Sequence, residues 1–150
     1  MYRKSILTVV CLLAIAGVWS VAQGQEVPFR ISDKQVEQSL KRLKKDSDKF
    51  RKDLDSALDR SRLDGTNRED DINAFVKNFD RATTSLHERF KDHKSVSADV
   101  QTVLDSAARI DQFMRRQQFR NGKAERDWSV VRGDLDQLSQ EYNVTWNWGV

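Results

Sequence analysis

The sequence predicts an all-α protein: an up-down-up-down four-helix bundle built from two repeated αα-hairpins. Three observations carry this expectation. Apolar residues recur at three- and four-residue spacing along nearly the whole chain after Ser32. Pro28 is the only proline, and helix breakers beyond it are confined chiefly to Gly65, Gly122 and the end of the chain. A shift of 56 residues superposes one helical hairpin on another without a gap.

The four apolar stripes come in order. The first is Val36, Leu40, Leu43, Phe50, Leu54 and Leu58. The second is Ile72, Phe75, Phe79, Ala82, Leu86 and Phe90, and the third is Val100, Val103, Ala107, Ile110 and Met114. The fourth is Trp128, Val131, Leu135, Leu138 and Tyr142. The residues between are mostly charged or polar, so each helix has one face to bury. Ser32, Thr66 and Ser97 are suited to N-caps, and Thr66 with Glu69 spells a capping box. Helices are expected at 32–63, 67–92, 97–119 and 124–142. Short links make neighbours antiparallel. Leu54, Leu58, Phe75, Phe79, Ile110, Met114, Val131 and Leu135 are expected to share the buried layers.

The repeat pairs Asp55 with Asp111, Arg60 with Arg116, Glu69 with Glu125, Asp71 with Asp127 and Asp80 with Asp136. Apolar matches, such as Ile72 with Trp128 and Phe79 with Leu135, follow from periodicity alone. The five charged identities around one turn make hairpin duplication the better reading. Under this shift helix 1 overhangs helix 3 by about nine residues, roughly 13 Å at 1.5 Å per residue. The overhang exposes Val36 and Leu40, beside which the C-terminal tail emerges. Trp146 is therefore expected to fold back onto Val36, Leu40 or Phe90 and seal that end.

Residues 1–24 read as a signal peptide. Arg3 and Lys4 precede an uncharged run from Ile6 to Ala22, with small residues at Ser20, Ala22 and Gly24. The competing reading is an uncleaved anchor, since the run is close to the length of a membrane span. Cys11, the only cysteine, lies inside the run with no small residue beside it, which argues against lipid attachment. Residues 25–31 form an extended lead-in, and residues 32–150 the bundle with its Trp-containing tail. Cleavage before Gln23 or Gln25 leaves no cysteine, hence no disulfide or thiolate chemistry. It also takes the 26 basic residues to 24 against 23 acidic ones, so no bias toward nucleic acid survives. A periplasmic or extracellular protein, with no stable membrane insertion after cleavage, is the expectation.

Candidate chemistry is sparse. His87 and His93 are six apart, off one another's helical face, and read as ordinary surface residues. The Glu-x-x-His pairs of a di-iron bundle, the Cys-x-x-Cys-His of c-type haem, a nucleophile elbow and a phosphate loop are all missing from the sequence. No catalytic residue, metal or cofactor is expected. The acidic residues interleave with Lys and Arg, as on a solvated face with intrahelical ion pairs. Arg115, Arg116, Arg120, Lys123 and Arg126 crowd the second turn as a candidate anion or partner surface. Helix-dipole compensation and the acidic first turn offer a simpler account of them. Trp146 and Trp148 are candidate aromatic contacts: they either stack on sugar rings or close the bundle. Asn143-Val-Thr145 is a glycosylation sequon, relevant only to a host that glycosylates exported chains.

The segment from Asp127 to Trp146, DWSVVRGDLDQLSQEYNVTW, resembles a helical segment recurring in uncharacterised exported bacterial proteins. The resemblance covers about the last third of the chain. It implies a bacterial, extracytoplasmic protein with no assigned activity. The Leu-Thr-x-x-Gln repeats of periplasmic stress chaperones are absent. The leading expectation is a non-enzymatic interaction or structural component of the cell envelope, bound to an envelope protein or polymer. The alternative is a small-ligand or cofactor-binding periplasmic bundle.

Overall fold

The computed structural model describes residues 32–149 apart from 95, 118, 120 and 121; the signal peptide and lead-in lie outside the described residues. Four α-helices follow one another: α1 (Asp33–Leu58), α2 (Asn67–Lys91), α3 (Ser97–Arg116) and α4 (Lys123–Glu141). They pack as the predicted antiparallel bundle, the backbone of each helix running close to those of its two neighbours, while across the α2–α4 diagonal the helices meet through side chains in the core. The α1–α4 and α2–α3 seams are close, whereas α1–α2 and α3–α4 are wider. The 56-residue shift carries each close seam onto the other and each wide seam onto the other. The sequence repeat is thus a pseudo-two-fold of the bundle.

The helix starts follow local chemistry, with two departures from expectation. Ser32 caps α1 through a full capping box, its Oγ accepting from the Gln35 N–H while Gln35 Oε1 accepts from the Ser32 N–H. Thr66 does not close the box predicted for it. Its hydroxyl donates to the Leu63 carbonyl at 2.6 Å, and Glu69 instead accepts from the Gly65 N–H at 2.7 Å. The N-cap of α3 is Val96 rather than Ser97, which begins the helix itself. The repeat-related Glu125 does the same work as Glu69, accepting from the Phe119 N–H at 2.7 Å. One of the five charged identities therefore has a direct cause: a carboxylate reaching back to pin each turn.

Two helices stop earlier than the periodicity suggests. α1 ends at Leu58 rather than 63, in a turn where Ser61 N–H bonds Leu58 and Ser61 Oγ accepts from Leu63 N–H. Its last turn carries no basic residue to answer the carbonyl ends, while Asp55 and Asp59 repel them. Gly65, at φ +70°, completes the reversal in the left-handed region open to glycine. α3 ends at Arg116 rather than 119.

The core runs the length of the bundle and includes seven of the eight expected residues. Phe75 is the exception. On α2 the buried stripe is Ile72, Val76, Phe79, Thr83 and Leu86, a four-three heptad step. Phe75, Ala82 and Phe90 lie on its flank, half-buried, and the Arg109 guanidinium covers the Phe75 ring at 5.8 Å. Thr83 satisfies its buried hydroxyl on the Phe79 carbonyl at 2.9 Å.

Trp128 is the node of the core. Its ring meets Phe50 of α1 at 4.9 Å between centroids, Phe79 of α2 at 6.3 Å and Trp148 of the tail at 6.2 Å. Offset and edge-on contacts at such separations are the favourable geometries for aromatic pairs. One indole thereby ties together α1, α2, α4 and the C-terminus.

Candidate functional site

The close α1–α4 seam is fastened by charge. Arg42 Nε donates to Asp134 at 2.6 Å, Lys49 pairs with Asp127, and Lys123 pairs with Asp53. Arg42 also donates to Gln137, and the Ser39 hydroxyl donates to Glu141 at 2.7 Å. Arg42 and Lys49 are one heptad apart, as are Asp127 and Asp134, so the antiparallel helices mesh as a ladder. The acidic residues are therefore not all on a solvated face. Asp111, Asp127 and Asp134 are buried, and their partners lie largely on other helices. A matching step of seven on both helices was the available sequence signal. Burial raises the Asp134 carboxyl above its usual range despite the Arg42 pairing. The hydrogen bond shared with Asp127, then the Lys123 contact, hold Asp53 well below its usual range. Lys44 is raised by its hydrogen bond to Asp80 at 2.7 Å across the α1–α2 seam.

The wide seams are covered differently. At α1–α2 the cover is Lys44, held by Asp80. At α3–α4 it is the tail. The chain reverses at Asn143, which has φ +50°, with the Val144 N–H closing onto the Ser139 carbonyl at 2.8 Å. It then runs back along α4 until Trp148 reaches Trp128. Trp148 Nε1 donates to Asp136 at 2.6 Å, the Arg132 guanidinium lies 4.7 Å over its ring, and Trp146 packs against it at 5.6 Å. Asp80 and Asp136, a repeat pair, thus each hold the cover of one wide seam.

The tail does fold back onto the bundle, as the overhang of α1 suggested, with Val144, Trp146 and Trp148 all packed against the core. Val36 and Leu40 are buried, and Trp146 packs half-buried against the core with its ring edge-on to Trp148. Its indole N–H is buried without a hydrogen-bond partner. Beneath the tail, Asp111 is 2% exposed. It accepts from Trp128 Nε1 at 2.9 Å and from Arg115 Nε at 2.7 Å, and pairs with Arg132 at 3.3 Å.

The expected basic surface is divided by these contacts. Arg115 is spent on Asp111 and Lys123 on Asp53, and Arg126 is also engaged, its guanidinium lying over Gly122. Arg116 is exposed, and Arg120 lies outside the described residues. What the structure brings together instead is Arg109, Gln112, Arg115 and Arg116 of α3 with Trp148 and Gly149 of the tail. Together with Ala108 and the buried Asp111 they line a groove of about 430 Å³. Arg109 was missed because its apolar-flanked position on α3 carries no charge cluster.

The histidines separate. His93 is exposed in a left-handed turn, whereas His87 is half-buried and its Nε2 has no partner, so it is not an ordinary surface residue. Burial lowers its pKa, and Lys91 and Lys41 add to the shift against Glu37 and Glu88. Among the described residues, Asp59, Asp64 and Glu69 of the first turn bring carboxylate oxygens within 4.8 Å of one another. Glu69 is already committed to the Gly65 amide. No helix among the described residues is long and apolar enough to cross a membrane.

No protein-family model, curated protein or solved structure matches the chain.

Proposed function

We propose that this chain is a non-enzymatic interaction or structural component of the bacterial cell envelope. The leader-type N-terminus and the C-terminal resemblance support export. The observation that carries the non-enzymatic reading is the state of Asp111. The most deeply buried carboxylate has both oxygens taken up by Trp128, Arg115 and Arg132, which fasten α3 to α4 and the tail. A carboxylate so engaged is a structural tie rather than an acid or base with a free lone pair for a substrate.

The test is cross-linking in cells that export the full chain, followed by mass spectrometry of the captured material and of the protein itself. The reading expects a mature chain starting near Gln23 or Gln25, outside the cytoplasm, coupled to one envelope component. A cytoplasmic chain retaining residues 1–22 would overturn it. The second reading, a small-ligand-binding bundle, draws on the 430 Å³ groove beside Trp148. A stoichiometric small molecule in the intact native mass would favour it.

A further inference from the structure

We propose that the groove between α3 and the tail is a binding site for an acidic polysaccharide. This rests on the reading of the chain as an envelope interaction protein and names the chemistry of its partner. Two features that the sequence places at opposite ends of the bundle meet here. The basic residues lie on the last turns of α3, and the tryptophans emerge beyond the far end of α4. The reversal at Asn143 brings Trp148 and Gly149 back against Arg109, Gln112, Arg115 and Arg116.

The donor set selects the ligand. Asp111, buried among the lining residues, is consumed by its three partners. What remains is the Gln112 amide and the guanidinium groups of Arg116 and of Arg109, whose other contact is the Phe75 ring; neither arginine forms an ion pair among the described residues. A site rich in N–H donors and poor in acceptors suits carboxylates, which only accept, and guanidinium matches them in a two-point fork. It suits an extended peptide less well, because half of a peptide's backbone groups are donors. Arg109 and Arg116 are seven residues apart on one helix, about 10 Å at 1.5 Å per residue, and present charge in a row rather than at a point. Trp148 supplies an aromatic wall on which a sugar ring packs. Arg132 and Trp128 hold its indole in place, so little freedom is lost on binding.

The repeat provides an internal control. Arg60 corresponds to Arg116 and is exposed after α1, whereas the Lys44–Asp80 pair that covers the α1–α2 seam lies sixteen residues earlier and brings no indole to it. The experiment titrates the full exported chain with oligogalacturonate, a neutral maltooligosaccharide, oligoglutamate and vesicles of anionic phospholipid. Oligogalacturonate should bind, and more weakly as salt rises. Arg109→Gln with Arg116→Gln should weaken it at least tenfold, as should Trp148→Ala, while Arg60→Gln leaves it unchanged. The double arginine variant loses only the exposed Arg109 contact with the Phe75 ring and should still unfold cooperatively within about 4 °C of the wild type, which separates binding from folding. The proposal fails if oligogalacturonate does not bind at low salt, or binds the double variant as tightly. It also fails if oligoglutamate or the vesicles bind as well as oligogalacturonate. Its failure leaves the envelope reading standing whenever cross-linking still captures an envelope partner.

Discussion

Replacing Trp148 with alanine should destabilise the bundle although the residue lies two positions from the end of the chain. Its indole makes edge-on contacts with Trp128 and Trp146, a hydrogen bond to Asp136 and a stacked contact with Arg132. Aromatic pairs of this kind are worth about 0.5–1.5 kcal/mol each beyond area. The cation–π contact at a partly exposed site adds about 0.5–1 kcal/mol, and the hydrogen bond about 1 kcal/mol. These contacts share one side chain that is only half-buried, so they do not add in full. The expected loss is roughly 2–3 kcal/mol, below the 3–5 kcal/mol typical of a fully buried aromatic. At about 3–4 °C per kcal/mol, Tm should fall by roughly 6–12 °C. Trp148→Phe keeps the ring and removes the donor, and should cost about 1 kcal/mol. Thermal and urea unfolding followed by circular dichroism measure both. A loss below about 0.5 kcal/mol for the alanine variant would mean that the tail is not part of the packed structure.

Other expectations follow from the same geometry. Phe79→Ala removes a fully buried ring against Trp128 and should cost about 3–5 kcal/mol in urea unfolding; a cost below about 1 kcal/mol would place the α2 core face wrongly. His87 is held neutral by burial, so folding opposes its protonation. Its folded pKa lies below the unfolded value of about 6.5, so stability should begin to fall as pH drops through 6.5 and continue down to the lower folded value. His87→Gln should flatten that limb of the stability–pH curve. Asp53 is depressed, so its contribution is present above the unfolded carboxylate value of about 3.9 and is lost as pH falls through the folded value. Asp53→Asn should therefore reduce the acid sensitivity of unfolding below about pH 4, and an unchanged acid limb would contradict the Asp53–Asp127–Lys123 arrangement.

Much of the fold was legible because bundle cores obey periodicity. Every helix start falls within one residue of its expected position, and the Ile72–Phe79–Leu86 spine was visible in the stripe. Phe75 was misplaced because a stripe of three- and four-residue steps can be drawn through either flank of a heptad, and Thr83, polar by type, was passed over. The ends of α1 and α3 were overestimated because apolar Leu63 and Phe119 continue the pattern, although they pack on the core from non-helical backbone. The site was less legible. Arg109 and Arg116 are separated in sequence from Trp148 by an entire helix, and only the reversal at Asn143 brings them together. Burial of Asp111, Asp127 and Asp134 escaped composition because a charge pattern does not reveal which carboxylate faces a neighbouring helix.

The central claim is that the tail is a packed wall of the α3–α4 seam, shared between fold and site. It is tested most directly by assigning the indole protons of the intact chain and measuring nuclear Overhauser contacts. The account predicts cross-peaks between the Trp148 and Trp128 rings, whose centroids lie 6.2 Å apart, and between Trp148 and Trp146 at 5.6 Å. It also predicts slow exchange of the Trp148 indole N–H bonded to Asp136. Random-coil shifts for residues 144–149 with no contacts to α3 or α4 would contradict it.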